Sequence, residues 1–169
     1  MRNNDILKKE LPKRKSARLK DYDYSGNGYY FVTICAQNKA KIFGEIVGEG
    51  FPLPQLSKYG KIVEKCIFSI NEKYPNIVPE KFVIMPNHIH IIFGIKNNGR
   101  GDPAPTIANV VGWLKYSATK QINLLHDNIG NKIFQRSFHD HVIRGERDYM
   151  EICEYINNNP AKWKEDSLY

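Results

Sequence analysis

Residues 81–95, KFVIMPNHIHIIFGI, constrain the fold of this chain more than any other stretch. Lys81 to Met85 and His88 to Ile95 both read as strands, rich in apolar and β-branched residues, and only Pro86-Asn87 separates them. A connection that short, with turn chemistry, makes the two strands antiparallel neighbours. Side chains alternate along a strand, so His88 and His90 share one face while Ile89, Ile91 and Phe93 take the other. One face of the hairpin packs and the other presents two imidazoles. That polar face admits two readings. The histidines are hydrogen-bonded on a sheet surface, or they share one cation, because neutral imidazole ligates zinc, manganese and similar ions.

The rest of the chain is read from its periodicities. Tyr29 to Cys35 is aromatic and β-branched, a buried strand, and Ile42 to Val47 is a short segment expected to pair with it as a hairpin. Pro52 and Pro54 are expected to break the chain, and Ser57 to cap a helix with Ile62, Val63, Cys66, Ile67 and Ile70 on its apolar stripe, ending at Tyr74-Pro75-Asn76. KNNGRGDPAP, residues 96–105, has a loop composition, and its RGD is read as part of that loop. Thr106 opens an amphipathic helix with Ile107, Val110, Val111, Leu114, Ala118, Ile122 and Leu125 on one face. After the loop HDNIGNK, His141 to Arg144 is a last short strand. A closing helix spans Glu146 to Asn158, ahead of Pro160. The order β-α-β-β-α-β-α predicts an α+β, ferredoxin-like (RRM-like) split βαβ sandwich: an antiparallel sheet with helices on one face, plus a C-terminal helix.

Charge is unevenly distributed. Residues 1–20 hold eight basic residues against Asp5 and Glu10, whereas the rest of the chain carries 17 basic and 16 acidic residues. A nearly neutral body with a basic arm is the layout of a protein that lays the arm along a phosphate backbone, although a solvated tail has the same composition. The expected organisation is an arm over 1–20 and a single domain over 21–169. No run approaches the length of a membrane span and the N-terminus lacks an apolar signal-peptide centre, so a soluble, cytoplasmic protein is expected. Cys35, Cys66 and Cys153 stand far apart with no CxxC pair, which suggests neither a disulfide framework nor a cysteine zinc site, and reduced, buried thiols are expected.

The second chemical element is EYINNNP, residues 154–160, in which Tyr155 and Asn159 are four apart and share a helix face if helical geometry persists to Asn159. A structural explanation also serves, with Ile152, Tyr155 and Ile156 as core positions and an Asn before Pro as a helix terminator. PNHIHIIF, FQRSFHDHVIR and YINNNP, together with RLKDYDYSGNGYYFVTICAQN near the start, resemble the single-tyrosine HUH nucleases, and specifically the REP-associated tyrosine transposases. The resemblance runs from about Arg18 to Lys162 with the motifs in order. It implies that His88 and His90 are metal ligands, that Tyr155 is the catalytic nucleophile and that Asn159 is the third ligand. Related insertion-sequence transposases carry Gln at that third position, and the REP-associated branch resembles this chain in having Asn. Tyr149 and Tyr116 compete as nucleophiles. Tyr149 lies about 600° of helix rotation before Tyr155, well off its face, and Tyr116 matches no motif of the family.

The resemblance further implies a metal-dependent single-strand DNA endonuclease and strand transferase acting near hairpin-forming, palindromic repeats with a short guide sequence beside them. A phenol with a pKa near 10 is only about one part in a thousand phenolate at neutral pH, so tyrosine gains nothing in reactivity but retains the cut strand as a 5′-phosphotyrosine. The ion would polarise the phosphate and stabilise the leaving 3′-oxygen. Two imidazoles and one amide would leave it fully charged, and this mixed ligation fits Mn²⁺ or a tolerated Mg²⁺. Lys13, Arg14, Lys15 and Arg18 of the arm, with Lys115, Thr119, Arg136 and Arg144, are candidate DNA contacts, although exposed Lys and Arg are more often simply solvated. His139 and His141 are read as positioning residues. A monomer is the expected state, a homodimer the alternative. Two other classes stay open: a non-catalytic single-stranded nucleic-acid-binding domain of ferredoxin-like fold, and a metal hydrolase that activates water.

Overall fold

The computed structural model describes residues 28–50, 52–96, 105–125, 130–166 and 168. The arm with Lys13, Arg14, Lys15 and Arg18 lies outside the described residues, as does the loop from 97 to 104.

Strand β1 (Gly28–Cys35) sets the frame by strict alternation: Tyr30, Val32 and Ile34 are fully buried on one face, while Phe31 and Thr33 take the other. It pairs antiparallel along its whole length with β5 (His88–Ile95), matching Tyr30 to Phe93, Val32 to Ile91 and Ile34 to Ile89. Its other side pairs antiparallel with β6 (His139–Ile143), and β4 (Ile77–Ile84) pairs antiparallel with β5. The resulting order, β4-β5-β1-β6, is the ferredoxin-like sheet. Helices α1 (Lys58–Phe68) and α3 (Ile107–Leu124) cover one face, where Val63, Cys66, Ile67, Val110, Leu114 and Ala118 meet the isoleucines of β5. Helix α4 (Glu146–Asn158) covers the opposite face through Ile156, packed with Ile92 and Ile143. Sandwiched in this way, all eight residues of β5 are buried.

The segment Ile42 to Val47 departs from expectation. Strand β2 (Gly44–Val47) pairs with β3 (Leu53–Leu56) in a separate two-stranded ribbon and not with β1, because β5 and β6 already occupy both edges of β1. Pro54 does not break the chain but sits inside β3 opposite Ile46. A two-stranded ribbon leaves one side of each strand unpaired, so a residue without an N–H is tolerated there. Ser57 caps α1 as expected, accepting from the Gly60 N–H at 3.1 Å and donating to the Ile42 carbonyl at 2.6 Å. The helix stops at Ser69 and a one-turn helix, α2 (Ile70–Lys73), carries Ile70 into the core. Strand β4 begins at Ile77, earlier than Lys81, with an irregularity between Pro79 and Lys81, and β6 begins at His139. Leu125 ends α3 half exposed, outside the apolar face assigned to it. The cysteines are free, Cys35 and Cys66 buried. Among the described residues no helix is long and apolar enough to cross a membrane.

Helix α4 is held on the sheet by a small apolar cluster, so shortening Ile156 should be felt. Ile156→Ala is expected to cost about 2–4 kcal/mol of stability, read as a lowered urea midpoint.

Candidate metal centre and nucleophile

The face of β5 that carries the histidines is closed by α4, so both imidazoles are almost completely buried, His88 at 0% and His90 at 2% exposure. Their rings meet edge to face at 4.5 Å between centroids. Each is oriented from behind by a neighbouring polar side chain. Thr33, directly across from His90 in the β1–β5 register, places its hydroxyl 2.8 Å from His90 Nδ1. Asn87 places Oδ1 2.8 Å from His88 Nδ1 and donates from Nδ2 to the Leu168 carbonyl at 2.6 Å. Since a carbonyl only accepts, the Leu168 contact fixes which end of the Asn87 amide faces His88. His88 therefore donates from Nδ1, and its Nε2 carries a bare lone pair.

That lone pair points into a cluster of acceptors. The Asp166 Oδ2 atom lies 3.5 Å from His88 Nε2, and the Asp166 side chain is 5% exposed. His88 Nε2, Asn159 Oδ1 and Asp166 Oδ2 are all buried without a hydrogen-bond partner. One ligating atom each from His88, His90 and Asp166 lie within 4.8 Å of one another. Desolvation pushes His88 down to about 4, against the pull of Asp166, and pushes His90 down to about 3, with the neighbouring His88 adding to the effect. Both rings are thus neutral near pH 7, and the orphaned acceptors repel one another unless a positive charge lies among them. The donor set of two imidazoles, one amide oxygen and one carboxylate fits a divalent ion.

Tyr155 completes the constellation. The residue is 45% exposed, yet its hydroxyl is 3.3 Å from His90 Nε2, and its ring lies 5.2 Å from the imidazole and 6.0 Å, edge-on, from Phe31. Asn159 keeps helical angles, φ −56° and ψ −44°, although Pro160 comes next, so the helical path reaches it and it shares the Tyr155 face. Burial raises the phenol pKa and Asp166 raises it further, while the Asn159 amide works in the opposite direction. Tyr155 is accordingly a protonated phenol at neutral pH.

The other candidate residues fall outside this constellation. Tyr116 is exposed on α3, across the sheet from the histidines, and Tyr149 packs on Tyr29 at 5.0 Å. His141 contacts Asp148 at 2.9 Å, and Asp148 also accepts the Arg144 N–H, tying β6 to the first turn of α4. Lys115, Thr119 and Arg136 share the wall of an open groove of about 360 Å³, in which Lys115 is tied to the carbonyls of Gln135 and Arg136. Arg136 also lines an adjoining groove of about 520 Å³ with Gln37 and Phe134. Arg144 lies apart, exposed at the end of β6. Three residues of the centre are absent from the sequence reading: Thr33, Asn87 as an orienting group, and Asp166. Thr33 was findable, since alternation places it opposite the Tyr30, Val32, Ile34 face. Asp166, in a tail without periodicity, left no signal.

Known proteins share this architecture. The model of the IS200-like transposase family matches residues 24–159. A Haemophilus influenzae protein known only as uncharacterized is 34% identical, the alignment covering 92% of this chain and 93% of that one. A second protein of that organism, a putative REP-associated tyrosine transposase, is 25% identical over 83% of this chain and 74% of its own length. Among solved structures, a REP-associated tyrosine transposase bound to a REP hairpin superposes with a TM-score of 0.64 at 20% identity, covering 88% of this chain and 74% of that one. A putative transposase from Deinococcus radiodurans gives 0.52 at 13% identity, covering 83% and 95%.

The buried histidines make acid stability a direct readout of the centre. Their folded pKa values lie below the ordinary value of 6.5, so between 6.5 and about 4 the unfolded chain binds more protons than the folded one. Stability of the metal-free protein should be fully present above pH 6.5 and fall as pH drops through 6 and 5. Melting temperatures in chelator from pH 7.5 to 4.5 test this, and His90→Gln should flatten the fall.

Proposed function

Because this chain belongs to the IS200-like transposase family, we propose that it is a metal-dependent single-strand DNA endonuclease and strand transferase that cuts through a covalent phosphotyrosine on Tyr155. One juxtaposition carries this reading. The Tyr155 hydroxyl stands 3.3 Å from Nε2 of one buried histidine, beside a second histidine whose Nε2 is orphaned and an Asn159 oxygen in the same state. A nucleic-acid-binding module needs no such convergence, and a water-activating hydrolase needs no tyrosine.

In the proposed reaction the Tyr155 oxygen attacks a DNA phosphorus. A P–O bond to Tyr155 forms as the bond to the 3′-oxygen breaks. The phenolic proton is lost to solvent and the leaving oxygen takes one up, giving a 5′-phosphotyrosine and a free 3′-hydroxyl. Attack by another 3′-hydroxyl reverses the sequence of bonds and joins the strands without an external energy source. His88, His90 and Asn159 would hold a divalent ion, Mn²⁺ or Mg²⁺, which would supply Lewis-acid stabilisation of the phosphate. Thr33 and Asn87 fix both rings with Nε2 inward, and Phe31 holds the Tyr155 ring edge-on, so the reactive groups are ordered before DNA arrives. Burial raises the phenol pKa, so the Tyr155 oxygen must give up its proton as it meets the phosphate.

The substrate proposed is single-stranded DNA beside a hairpin-forming palindromic repeat, in keeping with the REP hairpin bound by the solved relative. The groove at Lys115, Thr119 and Arg136 is also lined by Phe134, which bridges to Ala36, the residue after β1. The groove's side chains would offer phosphate contacts on the α3 side of the sheet. The arm with Lys13, Arg14, Lys15 and Arg18 would add phosphate contacts, and Arg144 a further one. Tyr155 sits at the histidines of its own chain, so one cytoplasmic monomer holds every group the cut requires.

Incubation with hairpin oligonucleotides and Mn²⁺, then a denaturing gel, tests the proposal. A DNA-linked protein band is expected, prevented by chelator and abolished by Tyr155→Phe; cleavage that survives Tyr155→Phe sinks the assignment. Thr33→Val frees the His90 ring and should weaken Mn²⁺ binding about 10-fold or more, measured by calorimetry.

A further inference from the structure

The C-terminal turn returns the chain to the histidines. After a 3₁₀ turn at Trp163–Glu165, Asp166 accepts the Leu168 N–H on Oδ1 at 2.8 Å, which directs Oδ2 inward. Oδ2 ends 3.5 Å from His88 Nε2 in a side chain that is 5% exposed. The turn is anchored on both sides: the Leu168 carbonyl accepts from Asn87 at 2.6 Å, and the buried Trp163 ring lies 5.9 Å from the His88 ring. An aspartate whose only purpose was to shape this turn would need Oδ1 alone and would leave Oδ2 in solvent. Instead Oδ2 is buried without a hydrogen bond, facing a nitrogen lone pair and close to the Asn159 centre. Burying a carboxylate oxygen against other acceptors is strongly unfavourable unless a cation lies between them.

We infer that Asp166 is an anionic ligand of the cation held by His88, His90 and Asn159, and that the ion thereby straps the C-terminal turn over the centre. The inference rests on the reading of those three residues as a cation cradle. A carboxylate lowers the net charge of the loaded centre from that of a bare divalent ion by one unit. It also makes the placement of the turn at 163–166 depend on the ion. The DNA phosphate would then meet a centre already partly neutralised by the protein's own tail, a different electrostatic problem from that of a cradle built of neutral donors.

The test uses full-length protein and Mn²⁺ alone, with no DNA and no activity readout. Mn²⁺ binding is measured by calorimetry on wild type, Asp166→Asn, Asp166→Glu and His88→Ala. In parallel, quenching by paramagnetic Mn²⁺ is monitored in a Trp113→Phe background, which leaves Trp163 as the single indole. Wild type should bind one Mn²⁺ and quench Trp163. Asp166→Asn should bind at least tenfold more weakly, Asp166→Glu should recover part of that loss, and His88→Ala should lose binding. Without metal, Asp166→Asn should melt no lower than wild type, because its amide N–H can donate to the bare His88 nitrogen; this separates lost ligation from misfolding. If Asp166→Asn binds Mn²⁺ as tightly as wild type while His88→Ala does not, the ligand assignment is overturned and the cradle stands. If wild type itself binds no Mn²⁺, both fall.

Discussion

The burial of β5 on both faces is the constraint on which the rest depends. One face must be apolar to seat α1 and α3, and Ile89, Ile91 and Phe93 meet that demand. The other face lies beneath α4, yet it carries two imidazoles at 0% and 2% exposure. A buried imidazole has two ring nitrogens to satisfy, and only one on each ring has a strong partner, Asn87 for His88 and Thr33 for His90. The remaining Nε2 atoms face inward, toward Tyr155, Asn159 and Asp166. His90 Nε2 meets the Tyr155 hydroxyl at 3.3 Å, whereas His88 Nε2 is unpaired, a state that costs about 1–3 kcal/mol and that a cation among these atoms would relieve. The buried polar side chains of the sheet gather at this patch, beside Tyr155 and Asn159.

Legibility in the sequence tracks periodicity. The bounds of β5 and α4 are closely readable because an isoleucine-rich run follows the Pro86-Asn87 turn in one and Pro160 disfavours helical geometry after the other. From those two elements come His88, His90, Tyr155 and Asn159, and only the persistence of helical angles ahead of Pro160 has to be seen to bring the last two together. The β2–β3 ribbon is not legible in the same way, because local pattern says nothing about which edge a short strand finds free. Pro54 reads as a break because its cost vanishes only on an unpaired strand side. Asp166 is invisible for another reason: Lys-Glu-Asp-Ser-Leu has no repeating pattern, and the residue matters only through a turn that brings it back 78 positions to His88.

Asp166 changes the chemistry inferred, not only the inventory. Two imidazoles and an amide describe a centre that keeps the full charge of its ion. A buried carboxylate beside them describes one that has tempered it. The same carboxylate raises the pKa of Tyr155, reinforcing burial and holding the phenol protonated. A cation among these donors would offset the charge of Asp166 and with it this part of the shift.

The centre is also a seam between two layers. His88 and His90 belong to the sheet, whereas Tyr155 and Asn159 ride one turn apart on α4. A small movement of that helix carries Tyr155 and Asn159 together and leaves their mutual spacing unchanged. It alters instead their distance from the histidines. Ile156, packed on Ile92 and Ile143, resists such movement near the centre, and the His141–Asp148 contact at 2.9 Å ties the far end of α4 to β6. That second tie is largely exposed, at 55% and 29% for the two side chains, so solvent screens it and its strength is small. Alignment of Tyr155 with the histidines therefore rests chiefly on the apolar packing of Ile156, with Tyr149, Ile152 and Cys153 beside it, against the sheet.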